Sequence, residues 1–392
     1  MSQSYLLGAC RTPIGKFLGG LSSLPATKLG ATAVGEALQR SGLKPEEIEE
    51  VIMGNVLSAG LGQAPARQAA LGAGLPPSVA ALTINKVCGS GMKAVMLADQ
   101  AIRCGDAQCV IAGGMESMSR TPHLLGGSRT GWKFGSQAML DHMVHDGLWC
   151  AFEDMAMGCE ADYIAESREI SRADQDAFAA QSHRRAVAAA EAGKFSDEIV
   201  TVAVPGRKGE TRLERDEGPR AGTTPEALAK LPPAFDEQGT VTAGNASQLS
   251  DGAAAVVVAS ESIAARSDAP LKARIVASVT AGVTPKEIFV APVPAVQKVL
   301  KAAGMGVGDI DLFELNEAFA AQSLACMRPL ELPAEKTNVH GGAIALGHPL
   351  GASGTRVLVT LLYALKTEGK QRGLATLCLG GGNAVAMIVE LV

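Results

Sequence analysis

"EALQRSGLKPEEIEEV" (residues 36–51) and "KVLKAAGMGVGDIDLF" (298–313) run in one register. Leu38 falls on Leu300, Gly42 on Gly304, Leu43 on Met305 and Ile48 on Ile310. Each stretch therefore reads as a helix end, a glycine C-cap and a charged turn leading into a strand. A second match follows, in which "GSGMKAVMLADQAI" (89–102) and "ASGTRVLVTLLYAL" (352–365) set Ser90 and Gly91 against Ser353 and Gly354. Both copies continue into a strand with a glycine pair, "AQCVIAGG" to Gly114 and "LATLCLGG" to Gly381. The order helix, strand, strand, turn, buried helix, strand thus occurs twice. Such alternation predicts two duplicated α/β halves with substantially parallel sheets and helices packed on them.

In the helix predicted from Gly89 to Arg103, Ala94, Val95, Met96, Leu97, Ala98, Ala101 and Ile102 leave a narrow stripe of Lys93, Gln100 and Arg103, so it belongs between layers. Residues 121–248 have no counterpart in the other half and change character, through a polar helix-like stretch to the charged "PGRKGETRLERDEGPRAG". They read as an inserted lid, leaving 1–120 with about 249–270 as one half and 271–392 as the other. Within the lid, Arg207, Lys208, Arg212, Arg215 and Arg220 alternate with acids and suit either a solvated face or a phosphate site.

Composition narrows the function. With 392 residues, 47% hydrophobic, the chain can fill more than one core. Only 4% of it is aromatic and its net charge is −5, which argues against nucleic-acid binding by stacking or by a global basic field. Eight cysteines without a C-x-x-C pair form neither a disulfide framework nor a zinc ribbon. No apolar run approaches the roughly 18 residues a membrane span needs. The N-terminus lacks a signal-peptide pattern and "VELV" matches no retention or peroxisomal signal. A cytoplasmic protein is expected. "GACRTPIGKF" fails as a phosphate loop, having six residues between Gly8 and Gly15 and Phe17 where a hydroxyl is needed.

Chemistry gathers at the turns of the two halves. In "NKVCGSGMKA", Cys88 precedes the buried helix, whose free N–H groups and dipole favour a thiolate. In "NVHGGAIALGHPLGASG", His348 precedes the equivalent helix, so the duplication brings a base of near-neutral pKa toward the cysteine. Cys378, in "CLGGGNA", closes the next strand ahead of three glycines whose bare N–H groups suit a developing oxyanion. Asn316 and Glu317 in "FELNEAFA" follow a strand of the second half; Asn316 reads either as a group reaching the end of the sheet or as a helix N-cap.

Together with "GGMESMS" and "GNASQLSDGAAA", these motifs occur in order from "RTPIGKF" to the C-terminus and resemble the thiolases, the acetyl-CoA acetyltransferase type in particular. The resemblance implies a thiolase fold: two similar α/β halves in alternating helix and sheet layers, a loop domain inserted in the first, and a dimer or tetramer. It implies an acetyl-Cys88 intermediate in the reversible condensation of two acetyl-CoA to acetoacetyl-CoA and CoA. His348 would activate Cys88, and Cys378 would take a proton from the second acetyl-CoA. Asn316 would hold a water beside His348 for the enolate, and the N–H groups of Cys88 and Gly380 would meet the acyl oxyanion. Coenzyme A contacts carry over to Arg220, Ser247, Met157 and Phe319. No metal and no resident cofactor is implied, coenzyme A thioesters being substrates. Ala156 stands where short-chain members often have histidine, and Asn383-Ala384 also departs from the pattern. The alternatives are a 3-ketoacyl-CoA thiolase of broader chain length, a ketoacyl synthase, which would use two histidines, and a non-catalytic acyl or lipid carrier.

Overall fold

The computed structural model describes residues 3–207 and 209–392, so Lys208 of the basic cluster lies outside the described residues. The first half contributes β1 (Ser4–Arg11), α1 (Ala26–Ser41), β2 (Glu50–Gly54), α2 (Pro65–Gly72), β3 (Ala80–Ile84), α3 (Ser90–Cys104) and β4 (Cys109–Ser117). After the intervening segment, which carries α4 (Met157–Ser167) and α5 (Arg172–Glu191), the chain returns as β5 (Ser250–Ser260). The second half follows with β6 (Lys272–Gly282), α6 (Pro292–Ala303), β7 (Leu312–Leu315), α7 (Ala320–Leu330), α8 (Leu350–Thr367), β8 (Arg372–Leu379) and β9 (Asn383–Leu391).

These strands form one sheet in the order β7-β8-β9-β6-β1-β5-β4-β2-β3, with Gly15–Lys16 as a short tenth strand on β5. Read outward from the β1–β6 junction, the first half runs 1-5-4-2-3 and the second 6-9-8-7, extended by a parallel bridge between Phe313 and Thr337. The duplication thus appears as a repeated strand order. The expectation of substantially parallel sheets is corrected: β2 is parallel to β3 and β4, and β7 to β8, but every pairing through β1, β5, β6 and β9 is antiparallel. The reason is connectivity. β9 follows β8 through a tight glycine turn, which only antiparallel neighbours allow, and β5 re-enters from the intervening segment rather than over a helix.

The helices cover this sheet in layers. Leu29, Val34 and Leu38 of α1 pack on Val51, Ile111 and Val257. On the opposite face, Met92 and Val95 of α3 and Leu358 and Leu361 of α8 share one core with Ile52, Val256, Leu377 and Met387. Val296 and Val299 of α6 close the far side over Phe313, Leu374 and Ile388. α3 and α8 therefore form a middle layer between the two half-sheets, as expected from the apolar circumference of α3. They meet at equivalent glycines: a Cβ on Gly91 would lie 2.6 Å from Thr355 Oγ1, and one on Gly354 2.4 Å from the Met92 nitrogen. The glycine C-caps that revealed the repeat adopt left-handed φ, 69° at Gly42 and 66° at Gly304.

The glycine pairs are not equivalents. Met53 pairs with Gly113 and the corresponding Leu315 with Thr376, so Gly113 answers to Thr376 and β4 runs on past Gly114 to Ser117. The helix expected from "SRADQDAF" is present, its N-cap Ser171 accepting from the Asp174 amide. Among the described residues no helix is long and apolar enough to cross a membrane.

Candidate active site

The turn between β3 and α3 is shaped by its own polar atoms. Ser90 Oγ donates to the Val87 carbonyl at 2.6 Å and accepts from the Lys86 amide at 2.8 Å, while Asn85 Oδ1 accepts from the Val87 amide at 2.9 Å. This bracing holds Val87 at φ 46°, a costly conformation for a β-branched residue, and sets Cys88 immediately before the helix. Gly89 has a steric reason. A Cβ there would lie 2.2 Å from a methyl carbon of Leu379, so only glycine lets the end of β8 close onto the turn that carries Cys88.

Cys88, His348, Cys378, Gly380, Ser247, Met157 and Phe319 line a single cavity of about 130 Å³, closed by Ile288, Phe289 and Leu350. Residues separated by almost three hundred positions in the chain thus share one small apolar chamber. Asn316 stands behind it against His348. It is not a helix N-cap, since Phe319 holds that position ahead of α7. Ser247 reaches the cavity because its amide donates to the Ala318 carbonyl at 3.0 Å. Arg220 is elsewhere: exposed, away from the cavity lining, its backbone amide donating to His183 Nδ1 at 3.2 Å. Arg212 faces Glu214 at 3.7 Å on the exposed hairpin arm, as a solvated face would. Ala156 is the N-cap of α4, next to Met157.

Burial governs the protonation states. It pushes the Cys88 thiol up to about 12, with the Glu116 carboxylate adding to the rise; the backbone N–H groups of Cys88 and Gly380 face the sulfur and act the other way. The N–H groups at the helix start do favour the thiolate, as expected, but desolvation is the larger effect. Cys88 precedes the first helical residue, and two N–H groups do not offset its desolvation. Cys378 is raised well above the ordinary thiol range, by burial first and by the proximity of Cys88 and Cys326 next. His348 is driven down to about 3, by burial and then by the Arg356 cation. The resting site is two thiols and a neutral imidazole. Of the three glycines after Cys378 and Leu379, Gly380 is the one whose amide points at Cys88.

The tautomer of His348 follows from its neighbours. Nδ1 lies 2.6 Å from Ser353 Oγ, whose hydroxyl proton goes to the Pro349 carbonyl at 2.8 Å, so Nδ1 carries the ring proton. On the other side Nε2 faces Asn316 Nδ2 at 3.5 Å. That amide is oriented by Arg356, a donor-only group 3.2 Å from Asn316 Oδ1. Both ends agree that Nε2 is the bare, basic nitrogen. Ser353 and Arg356 were not singled out from the sequence, although Ser353 lay in the repeat; their signal is the spacing i, i+3 on the helix that follows His348.

Glu116 braces the same region. Its carboxylate accepts from Asn55 Nδ2 at 2.7 Å and from the amides of Val56, Leu57 and Gly351 at 3.0, 3.1 and 2.9 Å. One side chain of "GGMESMS" thereby ties the end of β2 to the start of α8. Burial lifts it to about 7 while these N–H groups pull it down. With four donors and no acceptor facing it, we assign the ionised form.

Known proteins resemble this chain over its whole length. Two family models match in succession, Thiolase, N-terminal domain, over residues 4–262 and Thiolase, C-terminal domain, over 269–391. An acetyl-CoA acetyltransferase of Pseudomonas aeruginosa is 52% identical over 388 residues, covering 99% of each chain. One from Cupriavidus necator is 51% identical over 391 residues, covering 100% of both. The crystal structure of the Bacillus anthracis acetyl-CoA acetyltransferase superposes with a TM-score of 0.97 at 41% identity, covering 100% of this chain and 99% of that one.

Proposed function

The chain belongs to the thiolase family, and from that premise we propose how its cavity performs the family's chemistry. It is an acyltransferase that joins two acetyl-CoA into acetoacetyl-CoA and CoA, and cleaves acetoacetyl-CoA in reverse. The observation that carries the assignment of roles is the convergence on Cys88 of its own N–H, the Gly380 N–H, His348 and Cys378 in one apolar chamber.

As Cys88 attacks the carbonyl carbon of acetyl-CoA, its proton passes to His348 Nε2 and the carbonyl oxygen takes the negative charge. The two N–H groups facing the sulfur are within reach of that oxygen. The C–S bond to coenzyme A then breaks. A thiol is no base, so Cys378 must first lose its proton, and the departing coenzyme A thiolate is the group to take it. The site is left with an acetyl thioester on Cys88, a Cys378 thiolate and a His348 imidazolium. The Cys378 thiolate removes a methyl proton from the second acetyl-CoA, while the imidazolium and a water held by Asn316 stabilise the enolate oxygen. The enolate carbon attacks the acetyl group; the Cys88 sulfur leaves and recovers its proton from His348. The Cys378 proton leaves with coenzyme A and the methyl proton replaces it, so each side chain ends in its starting protonation state.

The cavity of about 130 Å³, closed by Phe289, Phe319 and Met157, favours a short acyl group over the longer 3-ketoacyl chains of a broad-range thiolase. No step draws on a resident cofactor, because the thioester itself acidifies its α-carbon. We read Arg220 as a remote contact to the coenzyme's adenine and phosphates, and the protein as a cytoplasmic dimer or tetramer. Support for the last point comes from apolar side chains left open between β4 and α4, with Phe134 99% and Phe152 70% exposed. The test is incubation with acetyl-CoA followed by peptide mass mapping: one acetyl group on Cys88 is expected, and a label on Cys378 with Cys88 free refutes the assignment.

A further inference from the structure

We propose that Arg356 is a positioning residue for the carbon–carbon step: its guanidinium locks the Asn316 amide so that Nδ2 faces the basic nitrogen of His348. The inference rests on the reading just given, and it concerns a residue that touches neither substrate nor reacting atom.

Arg356 lies on α8, one turn past Ser353, and is 1% exposed. A guanidinium has five N–H donors and no acceptor, so the only atom of Asn316 it can face is the carbonyl oxygen, 3.2 Å from its Nη2. Unlocked, the amide can turn over, and its oxygen would then meet the lone pair of His348 Nε2 in place of the N–H. α8 thus supports the imidazole twice, directly at Nδ1 through Ser353 and indirectly at Nε2 through Arg356 and Asn316.

The guanidinium has a second effect, through charge. Facing Arg356 are Glu314 from β7, at 3.6 Å from Nη1, and at longer range Glu317 from the following loop, Arg11 from β1 and Glu198. The titratable groups sharing the cavity with His348 are Cys88 and Cys378, both thiols at rest. Arg356 is therefore the full charge acting on His348, and it favours the neutral ring. Glu314 adds no charge in its place: burial already lifts this carboxyl to about 8, and without the cation that holds it down it takes up a proton.

The experiment compares Arg356→Met, Arg356→Lys and Asn316→Ala by single-turnover acetylation from acetyl-CoA and by steady-state acetoacetyl-CoA cleavage across pH. In Arg356→Met at about pH 8, where His348 is neutral in every variant, acetylation should stay within about threefold of the parent. Cleavage should fall about tenfold or more, the scale of a mispositioned polar group. The acid limb of kcat/KM should move up by about one pH unit or more. Arg356→Lys keeps the charge without the planar fork, so its limb should stay in place while cleavage still falls; it decides the matter if the methionine variant does not fold. In an Asn316→Ala background, replacing Arg356 should cost cleavage little more. The inference is overturned if both half-reactions slow equally, if the lysine variant shifts the limb as far as the methionine one, or if the losses at 316 and 356 multiply independently. Failure of the underlying reading looks different: the parent enzyme itself would take no acetyl group on Cys88.

Discussion

Ser353 Oγ lies 2.6 Å from His348 Nδ1, and its own proton is committed to the Pro349 carbonyl. This pairing determines which nitrogen of the His348 ring is free to accept a proton. Ser353→Ala removes the acceptor for the Nδ1 proton, so the ring can adopt the other tautomer and present a protonated Nε2 to Cys88. Acetylation should slow by about ten- to a hundredfold, the range for a misplaced general base. KM for acetyl-CoA should change little. Stopped-flow acetylation kinetics check this, and an unchanged rate would show that another contact sets the tautomer.

The two thiols should separate by step. Cys378→Ala keeps the backbone amides of the glycine turn but removes the group assigned to the α-proton. It should still take an acetyl group on Cys88, while acetoacetyl-CoA cleavage falls about a hundredfold or more. His348→Ala should slow both. Near-normal cleavage by Cys378→Ala would return both proton transfers to His348.

The pH profile follows from burial. His348 is held at about 3, so protonation of the base inactivates the free enzyme only well below the ordinary histidine range. The sign is that of a depressed pKa: the active neutral form persists as pH falls through about 6.5 and is lost only further down. Between about pH 5 and 8, kcat/KM for acetyl-CoA should show no limb from this group. A clear inflection near pH 6.5 that disappears in a His348 variant would falsify this ordering.

Gly89 and Leu379 test how the halves are clamped together at the site. Gly89→Ala places a methyl carbon 2.2 Å from Leu379 Cδ2, and the neighbouring Cδ1 is only 2.9 Å away. Leu379 is buried in the central core, so relief requires moving the end of β8 and with it the Gly380 amide. The substitution should destabilise by about 1–3 kcal/mol, as over-packing does, and should slow acetylation. Adding Leu379→Ala should restore acetylation more than it restores stability, because it opens a cavity in exchange for the clash. Urea unfolding beside acetylation rates distinguishes the two effects; a single variant with parental rates would mean that β8 is not set by this contact.

Much of this protein is written locally in its chain. The repeat around Gly42 and Gly304 was legible because a left-handed C-cap demands glycine wherever a helix must turn into a strand. The middle-layer position of α3 was legible because burial on all sides leaves it hardly any polar face. Cys88, His348 and Cys378 were legible because each stands at a turn that the duplication puts at the same end of the sheet. Strand direction was not, since it depends on how β5 and β9 enter the sheet, and that is a matter of connections rather than of periodicity. The true register of the halves also needed pairing partners, which set Gly113 against Thr376 and not against a glycine. Protonation was decided by tertiary structure alone. A thiol at a helix start reads as acidic in sequence, but packing Leu379, Phe289 and Phe319 around a part-buried Cys88 costs a thiolate some of its water, which pushes the thiol up. The fold also brings Ser353 and Asn316 against His348, and Arg356 against Asn316. Hydrogen-bond partners drawn from separate elements leave no periodic trace, so only the folded chain shows which nitrogen acts.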